Sequence, residues 1–317
     1  MPAVRTASRS RRVTATAVAT GVGTAPGTFG ELLQGVLHES NLDFLVTLPI
    51  ARGSVARFRL DPTTRTVYAQ PETKRKARQL VTLMLEEYGV AAGGSLDLWS
   101  DLPEGKGLAS SSADLVATAR AVGHSLGLCL EPAELEPLLR LIEPSDGVMY
   151  QGAVAFYHRR VELHSRLGDL PPLTIVGVDE GGEVDTVAFN RTAKPFSTVD
   201  KREYSQLLAR ISSAVRGRDA AAIGAVATRS AVLNQRLSHK GMLDELIRVS
   251  ESIPCLGVVA AHSGTALGLL LDERDPQYRP RLKAAWEACL SLAGSVWVDR
   301  THPAVGTECG RYRCQVA

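Results

Sequence analysis

Apolar positions recur with a helical period over residues 72–88, where Ala77, Leu80, Val81, Met84, Leu85 and Tyr88 fall on one face and Gly89 supplies the stop. The same period runs through 115–128, after the segment DLPEGKGLASSSAD, and through a short stretch at 132–142 that ends before Pro144. Helical spacing returns over 201–216, 218–236, 241–252 and 278–293. Strand-like patterning lies between these segments. Residues 13–24 alternate Val, Thr and Ala into a glycine-bearing turn at Gly21 and Gly23. Residues 44–60 give two strand-like runs broken by Pro49 and Arg52-Gly53, and 94–100 read as a half-buried strand. A buried strand opens 171–189 and breaks at Gly181-Gly182; 255–272 read as strand, glycine turn, strand; GSVWVDRTH reads as a closing strand. Both halves therefore mix helix and strand, an α+β arrangement.

With 317 residues the chain is long enough for two domains. The pattern breaks at Arg166-Leu-Gly-Asp-Leu-Pro-Pro, which divides it into 13–168 and 169–317, behind an expected disordered leader over 1–12. Lys plus Arg total 36 against 34 Asp plus Glu, and much of that small excess sits at Arg5, Arg9, Arg11 and Arg12. Such a balance argues against a nucleic-acid binder. No apolar run reaches the length of a membrane span, and no apolar stretch follows the basic N-terminus as in a signal peptide. Five widely spaced cysteines, Cys129, Cys255, Cys289, Cys309 and Cys314, do not form a disulfide pattern, so reduced thiols and a cytoplasmic location are expected.

Four segments carry candidate chemistry. Pro103-Glu104-Gly105-Lys106-Gly107-Leu108-Ala109-Ser110-Ser111-Ser112-Ala113 stands between a strand and a long helix. Its glycines let a backbone approach an oxyanion, the helix start offers unbonded N–H groups, and Lys106 adds a point charge. The serines suit a phosphate oxygen or Mg²⁺, although a Ser-rich N-cap on an ordinary helix has the same composition. This is not a Walker A sequence. The others are Ala25-Pro26-Gly27-Thr28-Phe29-Gly30-Glu31-Leu32-Leu33-Gln34-Gly35, Ile142-Glu143-Pro144-Ser145-Asp146-Gly147-Val148, and Ala260-Ala261-His262-Ser263-Gly264-Thr265-Ala266-Leu267-Gly268.

At these stations the chain resembles the GHMP kinase superfamily. The family's middle motif, Pro-x-x-x-Gly-Leu-x-Ser-Ser, is met by Pro103 to Ser111, and Ser263 to Gly268 resemble its glycine-rich third motif with fewer glycines. Within the superfamily the likeness is closest to the L-threonine kinases of cobalamin side-chain synthesis. It is carried by Gly30 to Gly35, by Lys106 to Ser111 with Ala113-Asp114 behind, and by Glu143 to Asp146. The resemblance implies an N-terminal domain like ribosomal protein S5 domain 2 and a ferredoxin-like C-terminal domain, with the site between them. It also implies ATP and Mg²⁺ as cofactors.

The resemblance further implies that Pro103, Gly105, Lys106, Gly107, Leu108, Ala109, Ser110, Ser111 and Ser112 hold the ATP phosphates. Ser111 matches the family's metal-ligating serine, with Glu143 as second ligand and Glu136 as the alternative. Asp146 lies near the catalytic aspartate of the mevalonate kinase branch, at a shorter spacing, and either takes the acceptor proton or serves a turn. Glu31 would accept a substrate ammonium. Gln34, Ser263, Gly264, Asp185 and Thr186 are placed on the acceptor side, with Glu183 nearby, and Arg52 is a weaker candidate for a substrate carboxylate. His262 reads as a packing residue. The expected reaction is phosphorylation of L-threonine or a related hydroxy amino acid. The alternatives are another small alcohol such as homoserine, a GHMP-fold decarboxylase, and a non-catalytic ligand sensor. The expected partners are the small substrate and, as an open option, a second copy in a homodimer, with no nucleic acid and no membrane.

Overall fold

The computed structural model describes residues 19–182 and 195–302. The expected leader, Glu183, Asp185, Thr186, Cys309 and Cys314 lie outside the described residues. The chain packs into two compact units, each drawn from three stretches. One holds the described residues up to Thr24, Val55–Trp99 and Asp114–Ile142; the other holds Ala25–Ser54, Ser100–Ala113 and the chain from Glu143 onward.

Strands β1 (Ala19–Val36) and β2 (Asp43–Asp61) and helix α2 (Ser110–Ser125) contribute residues to both units. In the first unit the later part of β2 continues into β4 (Gly93–Ser100) and then β3 (Val67–Gln70), with β3 and β4 parallel. Helix α1 (Arg75–Glu87) buries Ala77, Leu80, Val81, Met84 and Leu85, the face its periodicity predicts. Helix α3 (Pro132–Arg140) opens with a reciprocal capping box between Glu131 and Glu134 and with proline in its first turn. Lys74 pairs with Asp114 of α2 at 2.7 Å, both side chains mostly buried.

The expected turn at Gly21 and Gly23 is absent: β1 runs straight through both. Their missing side chains serve close packing instead, because a Cβ on Gly21 would lie 2.1 Å from the Ala121 carbonyl oxygen and one on Gly23 2.3 Å from that of Ala117. The expected break at Arg52-Gly53 is likewise continuous strand within β2, where a Cβ on Gly53 would meet the Ala25 carbonyl at 2.1 Å. A glycine inside a strand marks close backbone approach as readily as a turn.

In the second unit the strand order is β10 (Val296–Arg300), β7 (Leu173–Asp179), β9 (Ala266–Asp272), β8 (Gly257–Ala260), β1, β2. Strand β5 (Ala153–Tyr157) pairs with β2 and β6 (Glu162–Gly168) with β5. Alternate residues Leu267, Leu269 and Leu271 of β9 join Val176, Val178, Val258 and Ala260 in one core. Helices α5 (Ala220–Asn234), α6 (Leu243–Ser252) and α7 (Tyr278–Ala293) contribute Ala231, Leu243, Leu246, Ala285 and Cys289 to it. Helix α4 (Thr198–Arg216) opens on a Ser197–Asp200 capping box. The α+β class holds, and every helix expected from periodicity is present. Strands β3, β5 and β6 were not anticipated from the pattern. Cys255 and Cys289 are free thiols, whereas Cys129 is disulfide-bonded, against the expectation of five reduced thiols. Among the described residues no helix is long and apolar enough to cross a membrane.

Helix α5 meets β8 backbone to backbone. A Cβ on Gly224 would fall 2.1 Å from the Leu256 carbonyl oxygen, and Thr228 Oγ1 bridges the Gly224 carbonyl and the Val258 amide at 3.0 and 2.8 Å. Glycine to alanine inside a helix normally stabilises by about 1 kcal/mol. Here forced overpacking costs about 1–3 kcal/mol and wins. Gly224→Ala is therefore expected to lower the melting temperature by several degrees in a circular dichroism melt. A variant melting with or above its parent would refute the contact.

Candidate active site

The candidate site lies in the second unit, and its frame is a turn held to its neighbours through the carbonyls of Asp101, Lys106, Gly107 and Leu108. The turn leaves β4 at Ser100, which bonds Ser54 through their hydroxyls at 3.0 Å. Asp101 accepts from the Gly53 amide at 2.7 Å, and Arg52 donates to the Asp101 carbonyl at 3.2 Å. The guanidinium of Arg52 also grips buried Asp299 of β10 with two bonds of 2.7 Å. Arg52 is thus committed to the frame and does not serve a substrate carboxylate. Leu102 and Leu108 anchor the turn in the core at 4% and 1% exposure.

Between them Gly105 (φ 74°) and Gly107 (φ 80°) take left-handed conformations that glycine adopts at no steric cost. Ala109 takes one too, at φ 57°, immediately before α2. The carbonyls of Lys106, Gly107 and Leu108 accept from the amides of Ala266, Gly30 and Thr28 at 3.3, 3.2 and 3.2 Å. In a trans peptide C=O and N–H point oppositely, so the amides of Gly107, Leu108 and Ala109 face away from β1 and β9. The bond from the Ala113 amide to the Ala109 carbonyl, 2.9 Å, then closes the first turn of α2. Amides 110–112 precede it, at the positive end of the helix dipole. Such a row of amides offers hydrogen-bond donors of the kind that suit an anion, at the turn where the sequence predicts one.

Missing side chains bring the three glycine-bearing segments together. A Cβ on Gly264 would lie 2.1 Å from the Lys106 carbonyl carbon, one on Gly107 2.4 Å from Ala261 Cβ, and one on Gly30 2.6 Å from the Ala260 carbonyl oxygen. The fourth segment arrives through serine. Ser111 Oγ donates a short hydrogen bond to Glu143 Oε1. The Asp146 amide donates to Ser112 Oγ at 3.0 Å, and Ser112 Oγ lies 3.3 Å from Asp146 Oδ2. Burial of the carboxyl pushes the Asp146 pKa up to about 6; the Ser112 hydroxyl pulls against that and the neighbouring Glu143 adds to it. The structure pairs Ser111 with Glu143, while Glu136 stands on α3. Hydroxyl and carboxylate oxygens suit a hard dication such as Mg²⁺. Among the described residues no cluster of three acidic, His or Cys side chains forms a complete cage, so such an ion would rely on water and phosphate oxygens as well.

Lys106 bonds Asp179 Oδ2 at 2.7 Å and the Gly182 carbonyl at 2.9 Å. Asp179 was not foreseen. Partial burial opposes its charge, yet Lys106, the Thr265 hydroxyl and the Gly181 amide together hold its carboxyl below the usual range. Lys240 was not foreseen either. It is buried at 4% exposure and donates to the Gly264 carbonyl, and Gln235 clasps its amide and carbonyl at 2.6 and 3.0 Å. Burial lowers its pKa, while Glu180, Glu31 and Asp179 hold it up. A lone lysine before a helical stretch gave no signal in sequence; only folding places it under the third motif.

On the acceptor side, Glu31 is buried opposite Ala260 of β8. Gln34 is buried with both ends of its amide engaged: Nε2 donates to the Ala260 carbonyl at 3.3 Å, and Oε1 lies 2.6 Å from His262 Nδ1. His262 packs edge-on against His158, in the hydrogen-bonding and packing role expected of it. Ser263 is half-buried beside Gly264.

Comparison with known proteins agrees with this frame. Residues 75–157 match the GHMP kinases N terminal domain. The chain is 28% identical over 258 residues to an L-threonine kinase of Citrobacter freundii, spanning 79% of this chain and 86% of that protein. Homoserine kinase from Cytophaga hutchinsonii superposes with a TM-score of 0.66 at 16% identity, over 90% of this chain and 95% of that one. The complex of MDDEF with MVAPP, AMPPCP and magnesium superposes with a TM-score of 0.67 at 15% identity, over 91% and 98% of the two chains. Residues 75–157 thus match a GHMP kinases N terminal domain, and the chain as a whole is similar to an L-threonine kinase and shares the fold of these solved structures.

Proposed function

We propose that the protein is an ATP-dependent kinase that phosphorylates the side-chain hydroxyl of L-threonine or a closely related hydroxy amino acid. The observation that carries this reading is the Ser111–Glu143 pair at the start of α2, beside a turn whose amides face outward and a buried aspartate at residue 146. Likeness to an L-threonine kinase over 79% of the chain supports the acceptor.

On this reading the ATP phosphates lie along 105–112, bound by backbone amides and the helix dipole, with Lys106 adding positive charge. Ser111 and Glu143 would hold Mg²⁺, whose part is to neutralise phosphate charge. The acceptor oxygen bonds to the γ-phosphorus while the β–γ bridging bond breaks and ADP leaves. The hydroxyl proton passes to the Asp146 carboxylate, which at neutral pH is ionised and still basic enough to take it. Glu31 receives the substrate ammonium, and Ser263 belongs to the acceptor side. Gln34 and Gly264 fix that wall through their bonds to His262, Ala260 and Lys240. The protein's contribution is placement and charge, as phosphoryl transfer demands.

The test is ADP release with L-threonine, L-serine, L-homoserine and small polyols, with the product read by phosphorus NMR. L-Threonine is expected to turn over best and give O-phospho-L-threonine. A preference for another alcohol would reject the acceptor; joint release of ADP and CO₂ would indicate a decarboxylase; tight binding without turnover would indicate a sensor. Ser111→Ala should cut kcat by about a hundredfold or more with an unchanged melting temperature, since it removes a hydroxyl and no core volume; an unchanged rate would take Ser111 out of the site.

Asp146 also makes a pH prediction for the nucleotide-free protein. Its folded pKa, about 6, lies above the ordinary 3.8. The folded state therefore binds the proton more tightly, and the associated stability is present below pH 4 and lost as pH rises through 6. Asp146→Asn should remove that loss, so that at pH 8 the variant is on the order of 1–3 kcal/mol more stable than the parent while losing most of its turnover. Urea melts at pH 5 and pH 8 check this. A parent-like pH dependence in the variant would refute the assignment.

A further inference from the structure

Lys106 is held more tightly than a lysine on a glycine turn needs to be. Its backbone has one available place, because its carbonyl accepts from Ala266 and the side-chain-free Gly264 lies directly against it. Its ammonium carries three donors, and two are already aimed, at Asp179 Oδ2 and at the Gly182 carbonyl. Ordering a lysine side chain sacrifices its rotamer freedom, and an ion pair whose partners are 22% and 23% exposed is screened by water and returns less than that. Stability therefore does not account for the arrangement.

The partner is itself fixed. Asp179 ends β7, and its Oδ1 accepts from both the Thr265 hydroxyl and the Gly181 amide, at 3.0 Å for the latter. Two donors fix Oδ1, which orients the carboxylate and leaves Oδ2 to Lys106. The Thr265 carbonyl accepts from the Glu180 amide at 3.2 Å, and Lys240 holds the Gly264 carbonyl one residue earlier. Asp179 thus stands between the third motif and the lysine of the middle motif, with both of its oxygens in use.

We propose that Asp179 is a positioning residue for phosphoryl transfer: it aims the Lys106 ammonium, with its remaining donor free for a phosphate oxygen, and through Thr265 it locks that lysine to the third motif. This rests on the kinase reading above, in which Lys106 meets the triphosphate. Asp179 does not touch the reacting atoms and acts through Lys106 alone.

That dependence defines the test. Lys106→Met, Asp179→Asn and the double variant are made in the full chain. Each is measured for affinity for Mg·AMPPCP by calorimetry, for kcat with the best acceptor, and for melting temperature. Asp179→Asn is expected to weaken analogue affinity and lower kcat by about tenfold together, with melting within a few degrees of the parent, and to cost less than twofold more once Lys106 is methionine. A full additional loss in the Lys106→Met background, or parent-like behaviour of Asp179→Asn, would overturn the proposal. Parent-like affinity and kcat in Lys106→Met itself would instead overturn the reading of Lys106 as a phosphate ligand. If Asp179→Asn fails to fold, Thr265→Val releases the same carboxylate. It should give a smaller loss that also vanishes in the Lys106→Met background; persistence of that loss would count against Asp179.

Discussion

Three hydrogen bonds govern what the rest of this structure can do: those taking up the carbonyls of Lys106, Gly107 and Leu108. Their donors come from β1 and from the start of β9, elements far apart in sequence. The bonds form only because Gly30, Gly107 and Gly264 let backbones meet where a side chain would collide. A peptide whose carbonyl is engaged on one side must show its amide on the other. The direction in which the turn presents its amides follows from how it is bonded to its neighbours.

Charge is arranged around that turn with equal economy. Burial raises the Asp146 pKa, three donors outweigh partial burial to lower that of Asp179, and burial lowers that of Lys240 against the pull of nearby acids. The three environments differ: a carboxyl enclosed by the fold, a carboxyl surrounded by donors that include Lys106, and a lysine that braces the Gly264 carbonyl. Arg52 shows the same logic away from the chemistry. Its bidentate grip on Asp299 and its bond to the Asp101 carbonyl fix the point where β4 gives way to the turn.

Much of this was legible in the residues. Helices declared themselves because one apolar face repeats, as in α1, and Gly-x-Gly followed by serines marked the turn into α2, where Gly105 and Gly107 take positive φ. Glycines inside strands misled: Gly21, Gly23 and Gly53 read as turns but serve contacts with α2 and with Ala25 that only the folded chain reveals. Arg52 looked available for a ligand because its partner, Asp299, lies 247 residues away. Asp179 and Lys240 escaped notice for the same reason. Nothing local distinguishes an aspartate at a strand end, or a lysine before a helix, until distant partners enclose it.

Ala109 carries one more consequence. A residue with a Cβ in a left-handed conformation costs roughly 1–2 kcal/mol, and it persists only where its surroundings leave no alternative. Here the buried Leu108 on one side and the first bond of α2 on the other impose it. Glycine at that position would relieve the torsion and also unstiffen the junction, widening the range of directions in which the first amides of the helix can point. The chain forgoes some thermodynamic comfort at residue 109 in exchange for directional accuracy.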